Sequence, residues 1–183
     1  MNKKILFGIT GAIGSINAPT YVQHLISQYQ VDVILTKSAT HFINPNGLKP
    51  IVNSVSTDAF DLTQRKVPHA NLVKDIDAFI ILPTSANFLA KIANGIADDL
   101  LSLSVLNYDK PILLAPNMNS TMWEKNSVQR NITTLKKDGY IFINEPSQGY
   151  EASTGKKVTS EAALPSPNKL LYHLSQEIYE EVN

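Results

Sequence analysis

The chain has 183 residues, 43% of them hydrophobic, and basic and acidic residues balance at 16 each. Neither sign forms a block, which excludes the charge pattern of a nucleic-acid or anionic-membrane binder, and the length suits one domain with a full core. The sequence contains no cysteine, so disulfides, thiolate metal sites and a cysteine nucleophile or proton donor are also excluded. The first apolar stretch, Ile5 to Thr10, is too short for a signal peptide or a membrane span, so we expect a cytoplasmic protein without membrane insertion.

Apolar runs of strand length alternate with amphipathic segments of helix length along the chain. This βαβ alternation predicts an α/β fold with a doubly wound parallel sheet, and no repeat or linker divides residues 1–183, so a single domain is expected. The predicted strands are Lys4 to Thr10, Val31 to Thr36, Ala78 to Leu82, Ile112 to Ala115 and Tyr140 to Asn144. The predicted helices are Ile13 to Tyr29, Ser85 to Ala93, Asp98 to Leu106, Ser127 to Asp138 and Pro167 to Glu180.

Two polar stretches do not follow this alternation. They are Ile43 to Pro68 and Glu145 to Pro167, and both are punctuated by residues typical of turns. We therefore predict two long loops. Long loops in compact domains usually cover functional sites.

A glycine-rich turn, Gly8 to Ser15, follows the first predicted strand. Free backbone N–H groups at the start of a helix favour phosphate. The glycines are three residues apart rather than in a dinucleotide-binding pattern, and the second strand ends in Thr36-Lys37-Ser38 where an acidic residue would bind a ribose diol. The turn therefore favours a mononucleotide such as FMN over NAD. A turn that serves only the tight packing of strand on helix is the alternative.

Two further polar loops follow predicted strands. Pro83-Thr84-Ser85-Ala86-Asn87 follows the third strand, although Ser85 is equally suited to cap a helix, and Pro116 to Trp123 follows the fourth. Asn119 in the latter offers two donors and an acceptor for a carboxylate or a flavin edge, whereas an asparagine-rich helix cap is the alternative. Because the carboxyl ends of parallel strands meet at one edge of a sheet, the three loops predict one shared site.

These three segments, together with the run from Lys91 to Leu101, resemble the homo-oligomeric flavin-containing Cys decarboxylase family. Within it the chain is most similar to the lantibiotic peptidyl-cysteine decarboxylases, over roughly residues 4 to 160. The resemblance implies a Rossmann-like fold, FMN as cofactor, and trimers assembled into dodecamers with the flavin at a subunit contact. It also implies a precursor peptide ending in Cys as partner, and docking to other modification enzymes is a further expectation.

The resemblance also implies roles for individual residues. His69, in the loop before the third predicted strand, would organise or accept the thiol proton, and Asn119 would bind the departing carboxylate. The segment Tyr150 to Lys156 resembles a substrate clamp. Flavin contacts are expected from Gly11, Ala12, Ile13, Ser15, Ser38, Thr84, Ser85, Ala86 and Asn87. Substrate contacts are expected from Asn117, Met118, Met122, Trp123, Ser153 and Gly155. No pair of histidines has metal-ligand spacing, so no metal is expected.

The implied reaction is oxidative decarboxylation of a C-terminal cysteine. FMN takes two electrons, the carboxylate leaves as carbon dioxide, and an enethiol remains. The first alternative is decarboxylation of 4'-phosphopantothenoylcysteine in coenzyme A synthesis, in which the family's enzymes reduce the enethiol with a flap cysteine that this chain lacks. The second is an inactive flavin-fold regulatory subunit. Such subunits tend to carry acidic tails, whereas this chain has only Glu180 and Glu181 near its end.

Overall fold

A six-stranded parallel sheet forms the centre of the protein. The computed structural model describes residues 3–61, 67–150 and 155–180. The sheet has the strand order β3-β2-β1-β4-β5-β6, so the order reverses between β1 and β4. This is the Rossmann-like, doubly wound arrangement, and the predicted fold class is confirmed. The sheet strands are β1 Lys4–Ile9, β2 Gln30–Leu35, β3 Ser54–Ser56, β4 Ala78–Thr84, β5 Ile112–Pro116 and β6 Ile141–Phe142.

Helices cover both faces of the sheet and enclose two apolar cores. Phe7 and Ile80 point into the core under the first and last helices, whereas Leu6 and Phe79 point into the opposite core. Every residue of β4 is buried, as expected of a central parallel strand covered on both faces. The helices are α1 Ala18–Ile26, α2 Pro68–Val73, α3 Ala86–Ala93, α4 Leu100–Leu106, α5 Ser120–Trp123, α6 Asn126–Lys137 and α7 Pro167–Glu180.

The predicted helix from Ile13 to Tyr29 is two elements. A 3-10 helix spans Ile13–Asn17, and the α-helix begins only at Ala18. Pro19 lies in the first turn of α1 and has no backbone N–H, which suits that position and not a helix interior. The glycine-rich turn therefore leads into a short 3-10 segment, not directly into a long helix.

The two stretches predicted as loops contain strands, so that prediction is wrong in both places. β3 lies in the first stretch and pairs with β2 at the edge of the sheet. The buried carboxylate of Asp32 holds it there: it pairs with Lys4 Nζ at 3.0 Å and accepts from Asn53 Nδ2 at 2.7 Å and from the hydroxyl of Ser54. The second stretch is an antiparallel hairpin of β7 Glu145–Tyr150 and β8 Lys157–Ala163.

His69 was predicted in a loop and instead lies in the first turn of α2. Pro68 begins this helix, because its fixed φ suits the first helical position.

No helix within the described ranges is both long and apolar enough to span a membrane.

Candidate functional site

A cavity of about 1030 Å³ opens at the carboxyl ends of β1, β2, β4 and β5. It lies where the strand order reverses, the usual ligand position in an open α/β sheet. All three polar loops predicted to converge contribute to its wall. The hairpin contributes as well, through residues such as Ser147, Val158 and Ser160.

The first loop packs closely against the end of β2. A Cβ added to Gly11 would lie 2.4 Å from Ser38 Cβ and 3.0 Å from the Ser38 carbonyl carbon, so only glycine fits there without a shift. Three amides of the turn are already bonded: Ala12 N to Thr10 O, Ser15 N to Ala12 O, and Gly14 N to a side chain. The phosphate cradle expected from the backbone of residues 11–15 is therefore reduced to the N–H groups of residues 11 and 13.

Lys37 and Ser38 add side-chain groups to this end of the cavity. Both line it and both are exposed. Lys37 makes no ion pair with any described residue. An amino group and a hydroxyl beside two backbone N–H groups suit a phosphate.

Two residues expected to bind the flavin use their hydroxyls inside the protein. Ser15 Oγ donates to Thr10 O at 2.7 Å, and Thr84 Oγ1 donates to Ile81 O at 2.7 Å. Both side chains are fully buried and neither lines the cavity. Their role visible here is to hold the ends of β1 and β4. Thr10 joins the two ends, because its hydroxyl donates to Pro83 O at 2.7 Å and accepts from Ser85 N at 2.8 Å.

The loop after β4 both caps a helix and lines the cavity. Ser85 Oγ accepts from Phe88 N at 3.2 Å and so caps α3. Ser85, Ala86 and Asn87 also face the cavity. The two interpretations of Ser85 are therefore compatible. Gly11, Ala12, Ile13 and Ser38 line the same space, so seven of the nine expected flavin contacts are brought together.

Asn119 lines the cavity from the loop after β5. Its Oδ1 accepts from Met122 N at 2.8 Å and caps α5, so the helix-cap interpretation accounts for the oxygen. The cap uses the acceptor of the amide, and the Nδ2 amide group can still donate to a substrate carboxylate. Met118 and Met122 contribute apolar wall, whereas Trp123 does not line the cavity and packs against the core of the α3 face.

Asn117 lines the cavity too, but both ends of its amide contact protein groups. Its Oδ1 accepts from Gly14 N at 2.9 Å. Its Nδ2 donates to Ala162 O of β8 at 3.4 Å. The side chain expected to contact substrate therefore links the first loop to the hairpin.

An ion-pair cluster forms another part of the cavity wall. Lys91 Nζ lies 2.6 Å from Asp98 Oδ1 and 3.2 Å from Asp99 Oδ2. Burial alone would lower the pKa of Lys91, but the hydrogen bonds and charges of the two aspartates outweigh it and raise that pKa. The hydrogen bond from Lys91 lowers the pKa of Asp98. The lysine therefore stays charged and is already neutralised, so it adds no free cation to the site.

The hairpin covers the cavity with one face of β8. Val158, Ser160 and Ala162 face inward, whereas Lys157, Thr159 and Glu161 are exposed. The sequence prediction missed these lining residues. The strict alternation of exposed polar residues with small or apolar ones in 157–162 is the signal that predicts a strand here.

Three side chains hold backbone carbonyls at the base of the hairpin and just after it. Asn144 Nδ2 donates to Glu161 O at 2.7 Å, and Asn117 Nδ2 donates to Ala162 O. Tyr21 Oη donates to Pro165 O at 2.6 Å. Burial raises the pKa of Tyr21, so its hydroxyl stays protonated and remains a donor.

The remaining expected residues lie elsewhere. His69 is not among the residues lining the cavity, and its buried Nδ1 has no hydrogen-bond partner among the described residues. Gly155 is exposed with a φ of +65°, beyond the cavity wall. Ser153 lies outside the described residues. Among the described residues, no group of three or more histidine, aspartate and glutamate side chains is placed to hold a metal ion.

Comparison with known proteins bears on this site. A family model described as Flavoprotein matches residues 1–178. The coenzyme A biosynthesis bifunctional protein CoaBC of Bacillus subtilis (strain 168) is 36% identical over 154 residues, which are 82% of this chain and 38% of that protein. The chain thus spans less than half the length of that relative. Mersacidin decarboxylase of Bacillus sp. (strain HIL-Y85/54728) is 32% identical over 173 residues, 93% of this chain and 88% of that protein.

Solved structures resemble the chain over nearly its full length. The peptidyl-cysteine decarboxylase EpiD superposes with a TM-score of 0.83 at 28% identity, covering 95% of this chain and 99% of that one. The FMN-dependent cysteine decarboxylase SpaF superposes with a TM-score of 0.79 at 30% identity, covering 96% and 97%.

Proposed function

The chain belongs to the flavoprotein family, and on that premise we propose that it catalyses the oxidative decarboxylation of a peptide that ends in cysteine. Its cofactor is FMN. Related proteins of this size and fold are decarboxylases, including one named for peptidyl-cysteine and one for FMN-dependent cysteine decarboxylation. The choice of a peptide over another cysteine-containing acid is our proposal.

The cavity fits a flavin mononucleotide in three respects. Its volume is at the upper end of ordinary small-molecule sites, about 300–1,000 Å³. Gly11 packs so closely on Ser38 that a Cβ would collide with it, which brings the first loop and the end of β2 together in one wall of the cavity. Lys37 and Ser38 supply phosphate-binding groups, and no second phosphate-binding turn or ribose-binding carboxylate is present at the ends of β1 and β2. Among the described residues, the carboxylates in the wall are those of Asp98 and Asp99, and both are paired with Lys91.

The observation that carries the peptide assignment is a hairpin without cysteine over the cavity. A two-stranded hairpin has an edge to which an extended peptide can add its own backbone hydrogen bonds. Small inward side chains on β8, such as Ser160 and Ala162, leave room for such a chain. Because no cysteine exists anywhere in the sequence, the hairpin cannot donate a thiol proton to reduce the product. We therefore infer that the reaction ends at the enethiol.

The chain's own residues bind and orient the substrate, while FMN supplies the two-electron acceptor. Asn119 Nδ2 donates to the terminal carboxylate and holds it in the direction in which it leaves as carbon dioxide. The imidazole of His69 takes the thiol proton. The hairpin excludes water from the reacting cysteine.

We propose that His69 enters the site from a second copy of the chain. His69 lies outside the cavity of its own chain and is only partly buried, so its imidazole can reach a neighbouring copy. Val67 beside it is 54% exposed and Phe60 is 85% exposed, which are apolar surfaces that a second copy would cover. A homo-oligomer built from trimers, up to a dodecamer, would bring His69 to a neighbouring cavity and would cover these apolar side chains.

Mass spectrometry of peptides incubated with the purified FMN-loaded protein tests the function. We expect peptides with a C-terminal cysteine to lose carbon dioxide and two hydrogens. The same peptides ending in serine, or with the cysteine carboxyl group amidated, should remain unchanged. A flavin-loaded protein that modifies no member of a broad library of such peptides contradicts the proposal and favours a regulatory subunit.

The similarity to CoaBC favours one second candidate, 4'-phosphopantothenoylcysteine. The product distinguishes the two cases. Fully reduced 4'-phosphopantetheine as the main product contradicts the peptide assignment. Weak activity that stops at the enethiol agrees with it.

A further inference from the structure

Two parts of the molecule must act together for a covered flavin site: the first loop, residues 10–17, and the hairpin strands β7 and β8. They are far apart in the sequence. Among the described residues, Asn117 hydrogen-bonds to both of them, accepting from Gly14 N at 2.9 Å and donating to Ala162 O at 3.4 Å. We propose that Asn117 is a positioning residue that couples flavin binding in the first loop to closure of the hairpin.

The crowding around Gly14 supports this role. A Cβ on Gly14 would lie 2.7 Å from Asn117 Oδ1 and 2.8 Å from Leu164 Cδ1, so loop, asparagine and hairpin end meet with no spare space. Leu164 in turn packs against the buried core under α1 and α7. A displacement of the first loop is therefore transmitted to the hairpin by contact as well as by hydrogen bonding.

The two hydrogen bonds of Asn117 differ in length, so the longer one, to β8, is expected to change first when the hairpin moves. The bond from Gly14 N is of ordinary length and satisfies a buried amide. The bond to Ala162 O, at 3.4 Å, is near the long limit and is the one that tightens or breaks as the hairpin moves. A flavin that orders the first loop fixes the oxygen end of Asn117 and thereby presents its Nδ2 to β8. Linkage is reciprocal, so a closed hairpin also favours flavin binding.

Asn144 provides a matched control. It is also an asparagine, and its Nδ2 also donates to a β8 carbonyl, Glu161 O at 2.7 Å. Among the described residues, Asn144 makes no hydrogen bond to the first loop. Asn144→Ala therefore loosens the hairpin and leaves the proposed connection in place. Asn117→Ala removes both hydrogen bonds of that connection, the one to Gly14 and the one to Ala162.

Hydrogen exchange of the amides in 157–163, measured with and without saturating FMN on the assembled protein, tests the proposal. We expect FMN to slow this exchange in the wild type and in Asn144→Ala, but not in Asn117→Ala. Asn117→Ala should also weaken FMN binding about 2- to 10-fold, the equivalent of one neutral hydrogen bond, whereas Asn144→Ala should weaken it less, because the contact of Asn117 with the first loop remains. Gly14→Ala places a Cβ 2.7 Å from Asn117 Oδ1 and so disturbs the contact between the first loop and Asn117. This variant should also lose the FMN-dependent protection of the amides in 157–163, although Asn117 is intact.

The inference rests on FMN as the cofactor and not on the peptide substrate, because no turnover is measured. Circular dichroism and the oligomer size of each variant confirm that it is folded. Retention of FMN-dependent protection in Asn117→Ala overturns the proposal. An equal loss of FMN-dependent protection in Asn144→Ala also overturns it. So does a wild-type protein in which FMN does not change the hydrogen exchange of the hairpin.

Discussion

Replacement of Gly11 by alanine tests whether the close approach of the first loop to β2 builds the flavin site. The added Cβ would lie 2.4 Å from Ser38 Cβ and 3.0 Å from its carbonyl carbon. Carbon atoms in contact are normally about 3.5–4.0 Å apart, so the backbone at Ser38 must move by about 1 Å. No flexible side-chain tip can absorb this shift, because the opposing atoms belong to the backbone and its Cβ.

The expected size of the effect follows from two opposing terms. Overpacking of this kind costs about 1–3 kcal/mol, and the lower entropy of an unfolded alanine offsets about 0.4–1 kcal/mol of it. The two ranges leave a net loss of about 0–2.6 kcal/mol, and a loss near the middle of that range, about 1.3 kcal/mol, lowers the thermal midpoint of a chain of this length by about 3–5 °C. FMN binding should weaken as well, because the displaced Ser38 and Lys37 line the phosphate end of the cavity.

Thermal unfolding without FMN and fluorescence titration with FMN measure the two effects separately. Gly47→Ala is the matched control, because a Cβ there meets nothing within 4 Å. It should leave both quantities nearly unchanged or raise the midpoint slightly. A Gly11→Ala protein with the midpoint and the FMN affinity of the wild type would refute the argument that this contact shapes the site.

Three further outcomes follow from the structure. His69→Asn and Asn119→Ala should each lower peptide turnover about 100- to 10,000-fold while the oligomer persists, and near wild-type turnover of either would remove it from the mechanism. Deletion of residues 148–156 should abolish peptide turnover but lower FMN affinity by no more than the about 2- to 10-fold expected of Asn117→Ala, because the contacts at 161–165 remain; complete loss of FMN binding would contradict this separation. Burial opposes ionisation of Asp77, but hydrogen bonds from Lys3 Nζ and from the backbone N–H of Lys4 outweigh it and lower the pKa of Asp77. Its contribution to stability is therefore present above the unfolded-state pKa of about 3.9 and is lost as the pH falls through the folded value, so Asp77→Asn should flatten urea-measured stability below about pH 4. An unchanged acid profile would show that this ion pair is not formed in solution.

The sheet could be predicted because its strands are continuous apolar runs. β1, β4 and β5 are buried on both faces and therefore contain almost no polar residue to disguise them. β3 could not be predicted, because it has three half-buried residues whose place depends on Asp32, a residue more than twenty positions earlier. Its strand character comes from a tertiary contact that local sequence does not encode.

The site divides in the same way. The cavity edge followed from the rule that parallel strands end together, and that rule needs only the order of strands. The use of each hydroxyl and amide did not follow, because Ser15 and Thr84 are turned inward by hydrogen bonds with neighbouring carbonyls. The double contact of Asn117 depends on β8, forty-five residues away. Residue type indicated where a ligand binds, and packing decided which polar atoms remain for it.

The manner in which the hairpin is fastened leaves its sequence free to diverge. The three side chains at its base bind the carbonyls of Glu161, Ala162 and Pro165, and a carbonyl is present whatever side chain the residue carries. Asn117, Asn144 and Tyr21 all lie outside the segment they hold. Hairpins of other sequences can therefore be exchanged onto the same sheet, and a family can acquire new substrate preferences by altering one segment while the flavin chemistry beneath it stays constant.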